Sequence, residues 1–489
     1  MKKSLISFVV LLSSLCLSSL HAGERPNVLF IAVDDLNDYV GCLGGHKDTL
    51  TPNIDRLAQE GTLFSNAHCA APLCSPSRIS VATGKYPKNT GYYMNSQGNF
   101  RQGLSAVTTL PEYFRSNGYT TLGRGKLWPD TPVGFKKSFD EYMKVNKKEV
   151  GNINKYIFNN GPKGRFKEWV LDGGPLDIED EQMVDGSTAK WAEARLNNFK
   201  FNKPFFMGVG IFRPHIDWFV PRKYFKSFDP EKISLPMVKK DDLADVSEIA
   251  KEIANGVFDE EAMERSGQRK VALAAYLACV HFADAMIGRV LNALEKSPHA
   301  NNTIVVLWSD HGYHLGEKQH WRKMTLWEDA TRVPMIIKLP KGHEQVATSR
   351  QPVSLVDLYP TLVDLCSLPK NEALDGQSVV SLLKNPNAKS KKPALISYGF
   401  KNHCLRTEDF SFIHYSDGSC ELYDMNKDPH QWTNLAANPE YQNVVDEMKS
   451  YLPKDDEPYK ANHKGNSNIK MWHETFDYIK GRDIDFADW

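Results

Sequence analysis

Four apolar stretches of the chain have the pattern of strands that are buried on both faces. They cover residues 25–35, 203–211, 302–312 and 333–339. Their apolar residues run without the alternation of a half-exposed strand, which is typical of parallel strands covered by helices on both sides. Helical patterns lie between them, and the longest is an amphipathic one over residues 272–294. This order predicts an α/β fold with a large mixed, mostly parallel sheet between helices.

The pattern changes after about residue 385, where a polar linker begins. Short strand patterns follow it, separated by turn signals, at residues 394–399, 404–407, 410–414 and 420–423. A helical pattern over residues 440–451 comes next. We therefore predict an N-terminal α/β domain over residues 23–390 and a smaller C-terminal α+β subdomain with an antiparallel sheet over residues 391–489.

The first 22 residues have the pattern of a secretory signal peptide. Lys2 and Lys3 form a basic start, residues 5–17 are mostly apolar, and Ala22 offers a small residue for cleavage. The stretch is shorter than the roughly 20 residues that a membrane span needs. A lipoprotein anchor at Cys16 is the alternative. We expect a secreted or periplasmic protein that has no stable membrane span.

Charge and cysteine content narrow the possible partners. The chain of 489 residues has 60 basic and 60 acidic side chains, so nothing in its net charge favours nucleic acid as a partner. Basic side chains can still cluster around an anionic substrate. Eight cysteines are too few for a disulfide scaffold at this length. Cys404 and Cys420 flank a hairpin-rich segment and could pair, a question that the sequence leaves open.

Polar groups follow two of the buried strand patterns at the point where each strand ends. Asp34 and Asp35 end the first, and Asp310 and His311 end the third. Ligands of parallel sheets bind beyond the carboxyl ends of the strands, so we expect these groups to lie close together. Adjacent carboxylates favour a neutralising cation, and Ca²⁺ suits flexible carboxylate sites. The alternative is that these acids cap helix N-termini.

A Cys-Ser-Pro-Ser-Arg run occupies residues 74–78, and Thr83-Gly84 follows it. Taken alone, the run is compatible with an ordinary helix start that has proline at an early position. It also resembles the modification and active-site signature of the type I, formylglycine-dependent sulfatases. The resemblance implies an alkaline-phosphatase-like sulfatase fold. It also implies that Cys74 is oxidised to formylglycine (3-oxoalanine), whose hydrated form attacks the sulfur of a sulfate ester.

Further motifs extend the resemblance from Pro26 to about Ala436. They include Thr51-Pro-Asn-Ile-Asp, Asp310-His-Gly, Leu315-Gly-Glu, Thr331-Arg-Val-Pro and Glu421-Leu-Tyr-Asp. His311 stands where most members carry asparagine, and this feature resembles the iduronate-2-sulfatase-like branch. The resemblance implies a Ca²⁺ ion whose ligands are Asp34, Asp35, Asp310, His311 and the modified Cys74.

The resemblance also implies roles for individual side chains. Taken one at a time, the lysines among them could be ordinary surface lysines and the histidine an ordinary loop histidine. Arg78 stabilises the hydrated formylglycine, and Asp310 helps to activate the attacking hydroxyl. Lys126 and Lys323 hold the sulfate. His215 protonates the leaving alcohol, because an imidazole can donate a proton near neutral pH.

Two departures from the family pattern stand out. Family members carry a histidine two or three residues after Lys126, whereas this chain has Trp128, Pro129 and Asp130 there. Asp130 and His320 are candidates for the missing base, and His320 is also a candidate substrate-binding residue. Lys318 stands where the branch often carries histidine.

We therefore predict an exported sulfatase that acts on a sulfated oligosaccharide. The favoured target is a 2-O-sulfate on a uronic acid or pyranose, from an algal polysaccharide such as ulvan or from a glycosaminoglycan. A formylglycine-generating or sulfatase-maturing enzyme is the implied partner. The first alternative is a phosphate or phosphonate monoester hydrolase of the same superfamily. The second is a catalytically impaired protein that binds sulfated glycans.

Overall fold

The structure is a computed structural model that describes residues 25–97, 100–128, 138–143, 173–198, 201–255, 260, 263–264, 267–343, 345–390 and 392–460. The predicted signal peptide over residues 1–22 lies outside the described residues, as do the lipoprotein alternative at Cys16 and the candidate base Asp130. Those three stay predictions.

The described strands, in chain order, are β1 (Asn27–Asp34), β2 (Thr62–Phe64), β3 (Ala67–His68), β4 (Thr120–Gly125), β5 (Glu141–Met143), β6 (Gly173–Leu176), β7 (Phe205–Pro214), β8 (Trp218–Pro221), β9 (Thr303–Ser309), β10 (His314–Leu315), β11 (Trp321–Arg322), β12 (Met335–Lys338), β13 (Ala347–Ser349), β14 (Val353–Ser354), β15 (Ala394–Ser397), β16 (His403–Arg406), β17 (Phe410–His414) and β18 (Cys420–Asp424).

The described α-helices are α1 (Pro52–Glu60), α2 (Cys74–Thr83), α3 (Pro87–Thr90), α4 (Phe100–Gly103), α5 (Leu110–Ser116), α6 (Val184–Asn198), α7 (Glu248–Asn255), α8 (Arg269–Lys296), α9 (Glu328–Thr331), α10 (Leu358–Leu365), α11 (Val380–Lys384) and α12 (Gln442–Ser450). Short 3₁₀ helices cover Gly41–Leu43, Asn95–Gln97, Asp180–Gln182, Arg222–Ser227, Ala300–Asn302, Glu317–Gln319, Leu355–Asp357 and Pro439–Tyr441.

The main sheet of the described chain has eight strands in the order β13-β2-β12-β9-β1-β7-β4-β5. Strand β1 lies at its centre and pairs parallel with β7 on one side and β9 on the other. Strands β4 and β5 continue the parallel order at one edge. Strand β12 runs antiparallel to both of its neighbours. The predicted large, mixed and mostly parallel sheet is confirmed.

The central strand β1 is buried on both faces because its apolar residues feed two separate cores. Phe30 points to one face, where its ring centroid lies 5.4 Å from that of Trp308 and 5.5 Å from that of Phe206. Leu29 and Ile31 point to the other face. Successive side chains of a strand alternate between faces, so an unbroken apolar run fits a strand that helices cover on both sides.

Helix α8 closes one face of the main sheet. The sequence predicted an amphipathic helix over residues 272–294, but most of the side chains of Arg269–Lys296 are buried. By length and composition alone the helix could cross a membrane. Most of its apolar stretch is buried inside the fold, however. A core helix passes the same test, and α8 packs against α6, β7 and β8.

The C-terminal region forms a four-stranded antiparallel sheet, β15-β16-β17-β18, as predicted. Helix α12 packs Val445 and Met448 against one face of this sheet. Cys404 and Cys420 lie on β16 and β18, which β17 separates, and both are free thiols. The disulfide that the sequence left open is therefore absent, because the two cysteines are not on neighbouring strands.

Candidate active site

Two neighbouring parallel strands bring the predicted acidic residues to one edge of the main sheet. Val33, next to the end of β1, pairs with Ser309 at the end of β9, so Asp34 and Asp310 follow side by side and Asp35 comes next. The N–H of Asp35 donates to Asp310 Oδ1 at 3.2 Å. Asp35 has a φ of +59°, a left-handed backbone that non-glycine residues adopt mainly where surroundings fix it. The carboxylates of Asp34, Asp35 and Asp310 are fully buried.

Cys74 is the first residue of helix α2, and its thiol faces this group of acids. Its Sγ lies 3.2 Å from His311 Nε2 and 3.3 Å from Lys323 Nζ. The run does begin a helix with proline at an early position, but the flanking residue is Leu73, which has no capping side chain. The run at residues 74–78 therefore places its cysteine in the site.

Arg78 joins the ends of three strands from within α2. Its Nε donates to Asp310 Oδ2 at 2.8 Å and its Nη2 to Asp34 Oδ1 at 3.0 Å. Its Nη1 donates to the carbonyl oxygens of Lys126 at 2.5 Å and Leu127 at 3.0 Å. The guanidinium is fully buried, so loss of either carboxylate would leave its positive charge only partly compensated.

Two lysines from distant parts of the chain meet the carboxylates. Lys126 Nζ lies 2.5 Å from Asp34 Oδ2, and Lys323 Nζ lies 2.6 Å from Asp35 Oδ1. The side chain of Lys126 is 14% exposed and that of Lys323 is 9% exposed. The interpretation of either residue as an ordinary surface lysine is therefore wrong.

The two histidines of the site share one hydrogen-bond arrangement. His311 Nδ1 lies 2.9 Å from the carbonyl oxygen of Gly312, and His215 Nδ1 lies 2.7 Å from that of Ile216. A carbonyl can only accept, so the proton sits on Nδ1 in both neutral rings. The lone pair of Nε2 is left for a thiol proton, a substrate proton or a metal ion.

We define the active-site cluster by the side chains that these contacts bring together, which are Asp34, Asp35, Cys74, Arg78, Lys126, His215, Asp310, His311 and Lys323. Burial alone would raise the pKa of Asp34, but Lys126 and the other nearby positive groups hold it well below its ordinary value. Burial raises the pKa of the Cys74 thiol to about 12, although Lys323 opposes it. At neutral pH the thiol is therefore protonated.

The protonation of His215 differs from the sequence expectation. Burial and the charge of Lys126 lower the pKa of His215 to about 3, so its imidazole is neutral at pH 7. From the sequence we expected a ring that can donate a proton near neutral pH. In this structure His215 is a proton acceptor.

The donor atoms of the cluster fit a divalent cation. Ligand atoms from one set of residues all lie within 4.8 Å of one another, namely those of Asp34, Cys74, Asp310 and His311. A second such set comprises Asp35, Cys74 and His215. Asp35 Oδ2 is buried and has no hydrogen-bond partner in the described part of the chain, a costly state that a bound cation would relieve. These acids bind side chains and one another's backbone instead of capping helices.

Comparison with known families identifies the chain. The family model described as Sulfatase matches residues 26–368. The chain belongs to the sulfatase family. A second model, described as N-sulphoglucosamine sulphohydrolase, C-terminal, matches residues 316–457 of this sulfatase. As a member of the family, the protein is a sulfuric ester hydrolase.

Individual relatives cover most of this sulfatase. A sulfatase of Formosa agariphila is 38% identical over 449 residues, which are 88% of this chain and 87% of the relative. Iduronate 2-sulfatase of Homo sapiens is 30% identical over 423 residues, 75% of this chain and 74% of the human protein. These relatives support the resemblance to iduronate 2-sulfatase and to bacterial sulfatases.

Solved structures share the fold of this sulfatase. A 2-O GAG sulfatase has a TM-score of 0.69 at 22% identity, covering 87% of this chain and 91% of that one. The phosphonate monoester hydrolase of Silicibacter pomeroyi has a TM-score of 0.73 at 21% identity, covering 87% and 94%. The alkaline-phosphatase-like sulfatase fold is confirmed, and it is shared by enzymes that differ in the esters they cleave.

His320 does not lie in the active-site cluster of this sulfatase. Its Nδ1 lies 2.7 Å from the carbonyl oxygen of Ala254, and its Nε2 lies 2.8 Å from that of Lys323. The ring is 1% exposed, and backbone groups occupy both nitrogens. The expectation that His320 binds substrate or serves as the missing base is therefore not met. Trp128, which stands in the place of the family histidine, is buried against Phe30, and its indole nitrogen can donate a proton but cannot accept one.

Two residues of the site were not predicted from the sequence. The Ser77 hydroxyl donates to the carbonyl oxygen of Asp310 at 2.5 Å and so ties α2 to the end of β9. Asn95 Oδ1 accepts the N–H of Ser75 at 2.9 Å, beside the cysteine. Ser77 belongs to the motif and could have been inferred from it. Nothing in the sequence around Asn95 signals its contact.

Proposed function

We propose that this sulfatase removes a 2-O-sulfate from a uronic acid or pyranose in a sulfated oligosaccharide, with formylglycine at position 74 and Ca²⁺ beside it. One observation carries the proposal: the Cys74 sulfur lies among three buried carboxylates and two ammonium groups. The relationship to iduronate 2-sulfatase supports the choice of sugar and sulfate position.

Two groups that the cluster would hold supply the reactive chemistry. Formylglycine made from Cys74 supplies, when hydrated, an oxygen nucleophile for the sulfur. A calcium ion held by Asp34, Asp35, Asp310 and His311 supplies positive charge that polarises sulfate oxygens. The buried oxygen of Asp35 that lacks a partner supports the cation.

The two lysines supply the sulfate-binding part of the site. Their ammonium groups each meet a carboxylate of the cluster, and Lys323 Nζ also lies 3.3 Å from the Cys74 sulfur. A sulfate placed over position 74 would therefore lie within reach of both charges. Fixed ammonium groups in a buried site stabilise the charge that builds up as the S–O bond breaks.

His215 moves the proton of the leaving group. Its Nε2 is unprotonated before substrate binds, because Nδ1 donates to the backbone. A bound sulfate anion favours the positively charged imidazolium and so raises the pKa of the ring. Once protonated, His215 can give its proton to the sugar oxygen that leaves.

Export and maturation belong to the proposal as well. The signal-peptide pattern over residues 1–22 supports secretion or a periplasmic location. Cys74 is only 6% exposed in the folded protein. A formylglycine-generating or sulfatase-maturing enzyme must therefore reach the cysteine before the chain is folded.

The sequence motif and the residues of the site bear on the two alternatives to the proposal. The full Cys-x-Pro-Ser-Arg run supports the formylglycine chemistry of the proposal. An impaired glycan-binding protein needs a damaged site, whereas the described cluster brings together Cys74, Arg78 and Asp310 with both sulfate-binding lysines and His215. Trp128 in place of the family histidine is the feature that favours impairment.

Sulfate release from a panel of defined sulfated disaccharides tests the proposal. We expect release from 2-O-sulfated uronates or pyranoses and little from 6-O- or N-sulfated sugars. Faster release of phosphate or phosphonate from matched esters would favour the first alternative. Tight sugar binding with no release from any member of the panel would favour the second.

A further inference from the structure

The loop of residues 316–324 carries Lys323 into the site on a constrained backbone. Left-handed φ angles occur at Lys318 (+54°), Gln319 (+50°), Arg322 (+90°) and Met324 (+79°). A non-glycine residue in this conformation is strained and persists only where its surroundings fix it. The loop therefore depends on the contacts that anchor it.

Lys318 is the anchor at the start of this loop. Its side chain is 1% exposed, and its Nζ lies 2.7 Å from Asp242 Oδ1. The same ammonium donates to the carbonyl oxygen of Gln431. It also lies over two aromatic rings, 5.5 Å from the centroid of Trp327 and 5.2 Å from that of Tyr423. Ion pair, hydrogen bond and cation–π contacts thus all hold one side chain.

Glu421 on β18 fixes the aromatic part of this anchor. Its carboxylate accepts from Trp327 Nε1 at 2.8 Å, from the Tyr423 hydroxyl at 2.7 Å and from the Tyr415 hydroxyl at 2.9 Å. We define the Lys318 cluster as Lys318, Asp242, Trp327, Tyr415, Glu421, Tyr423 and Gln431. It ties the loop to the C-terminal sheet, because Glu421 and Tyr423 both lie on β18.

A second anchor acts directly on Lys323. His320 Nε2 lies 2.8 Å from the Lys323 carbonyl oxygen, while Nδ1 lies 2.7 Å from that of Ala254. The backbone of the loop is thus held at His320 and at Lys318, only two residues earlier. A shift at Lys318 would reach Lys323 through this short, constrained segment.

We infer that Lys318 is a positioning residue for the reaction, through which the C-terminal subdomain sets the place of the Lys323 ammonium. The inference rests on the proposed function, since it is the sulfate-binding role of Lys323 that Lys318 serves. Lys323 Nζ has to stay 2.6 Å from Asp35 Oδ1 and 3.3 Å from the Cys74 sulfur. An ammonium moved by about 1 Å loses much of its effect on a transition state.

Three variants of the full-length, formylglycine-bearing enzyme test the inference. Lys318→Met removes the charge, and Asp242→Asn keeps the shape of the ion pair while it removes the partner charge. Asp284→Asn is the matched control: this carboxylate is also buried and holds the N–H groups of Asn53 and Ile54, outside both clusters. The measurements are kcat/KM on a sulfated disaccharide, the Kd of inorganic sulfate for the unmodified-cysteine protein, and Tm.

We expect Lys318→Met to lower kcat/KM and to weaken sulfate binding, each by roughly 10–100-fold. Asp242→Asn should act in the same direction by a smaller factor, and it decides the matter if Lys318→Met does not fold. Asp284→Asn should lower Tm by a comparable amount yet keep kcat/KM and the sulfate Kd within about twofold.

Two results would overturn the inference. One is an equal loss of kcat/KM in Asp284→Asn and Lys318→Met when each is assayed equally far below its own Tm. That result would show that lower stability alone explains the loss of activity. The other is a sulfate Kd that stays unchanged in both Lys318→Met and Asp242→Asn. If wild-type enzyme releases no sulfate but the Kd values follow the expected order, the proposed reaction fails while the positioning role stands.

Discussion

Two buried clusters of charged groups in the described part of the chain differ in how completely their polar atoms are satisfied. In the Lys318 cluster, the Glu421 carboxylate accepts from three donors, and the Lys318 ammonium meets a carboxylate and a carbonyl. In the active-site cluster, Asp35 Oδ2 lacks a partner within the described residues and the thiol of Cys74 lies among charged groups. The first arrangement is complete, whereas the second leaves room for a ligand.

The difference shows that burial and charge alone do not mark a functional site. Lys318 and Lys323 are five residues apart in one loop, both buried and both paired with an aspartate at 2.6–2.7 Å. Lys318 is covered by aromatic rings, so it has no access to a substrate. The Lys323 ammonium lies 3.3 Å from the Cys74 sulfur. Incomplete satisfaction of polar groups is the feature that separates the two regions.

Replacement of Cys74 should give the largest effect and should fall on one cluster only. Cys74→Ala removes the precursor of the nucleophile, so turnover should fall by roughly 10⁴-fold or more. The side chain is small, so the free energy of unfolding should change by less than about 1.5 kcal/mol. Sulfate release and urea unfolding measure the two quantities.

Cys69 provides the matched control for this replacement. It is also buried and close in sequence, but its contact is with the carbonyl oxygen of Ala330. Cys69→Ala should retain turnover. If Cys74→Ala released sulfate as fast as Cys69→Ala, the active-site cluster would have no role in turnover.

Replacement of Asp310 should combine a functional and a structural loss. Asp310→Ala removes a predicted metal ligand and leaves Arg78 without one of its two carboxylates. Breaking a buried ion pair costs about 3–5 kcal/mol in the free energy of unfolding. Metal content by mass spectrometry and activity should fall together. Metal content equal to that of wild type would contradict the ligand assignment.

Replacement of Glu421 should mainly lower the free energy of unfolding and should have only a small effect on turnover. Glu421→Gln removes acceptor capacity for three buried donors, and one unsatisfied group costs about 1–3 kcal/mol. Turnover should fall less than tenfold, since the Lys318–Asp242 ion pair remains. A loss of turnover as large as that of Asp310→Ala would erase the distinction between the clusters.

The smallest expected effect on turnover comes from a group outside the active-site cluster, which makes the free energy of unfolding depend on pH. Burial opposes ionisation of Glu328, but Arg406 and nearby cationic groups lower the pKa of Glu328 from 4.5 to about 2. A lowered carboxyl pKa gives stability that is complete above about pH 5 and is lost as the pH falls towards 2. The free energy of unfolding should drop by about 3 kcal/mol over that range from this group.

Glu328→Gln serves as the comparison for that measurement. The variant should be less stable at pH 7 and should lose less stability than wild type between pH 5 and pH 2. Urea unfolding at several pH values gives both numbers. Parallel curves for the two proteins would show that Glu328 contributes nothing to the acid transition.

Much of the fold and the site could be predicted from the sequence. Unbroken apolar runs located the central strands, and parallel pairing required Asp35 and Asp310 to meet at one edge. The motif at residues 74–78 predicted the thiol that completes the group. These inferences succeeded because they rest on local patterns with a fixed geometric consequence.

The remaining features depend on long-range packing that no local pattern encodes. His320 is next to Trp321 in the chain, yet its ring meets a carbonyl oxygen of Ala254 from a distant helix. Helix α8 is buried on most sides because other elements pack around it. Its sequence pattern predicted an amphipathic helix with one exposed face, because the sequence does not show those neighbours. The low pKa of His215 reflects burial and a lysine 89 positions away in the chain, which only the fold brings near.

Mass spectrometry of the Cys74-bearing peptide, from protein made in its native host and assayed for sulfate release, tests the central claim most directly. Conversion of the cysteine to formylglycine lowers the peptide mass by roughly 18 Da. We expect the converted fraction to rise and fall with specific activity among preparations. An active preparation in which the peptide carries an unmodified thiol would contradict the account.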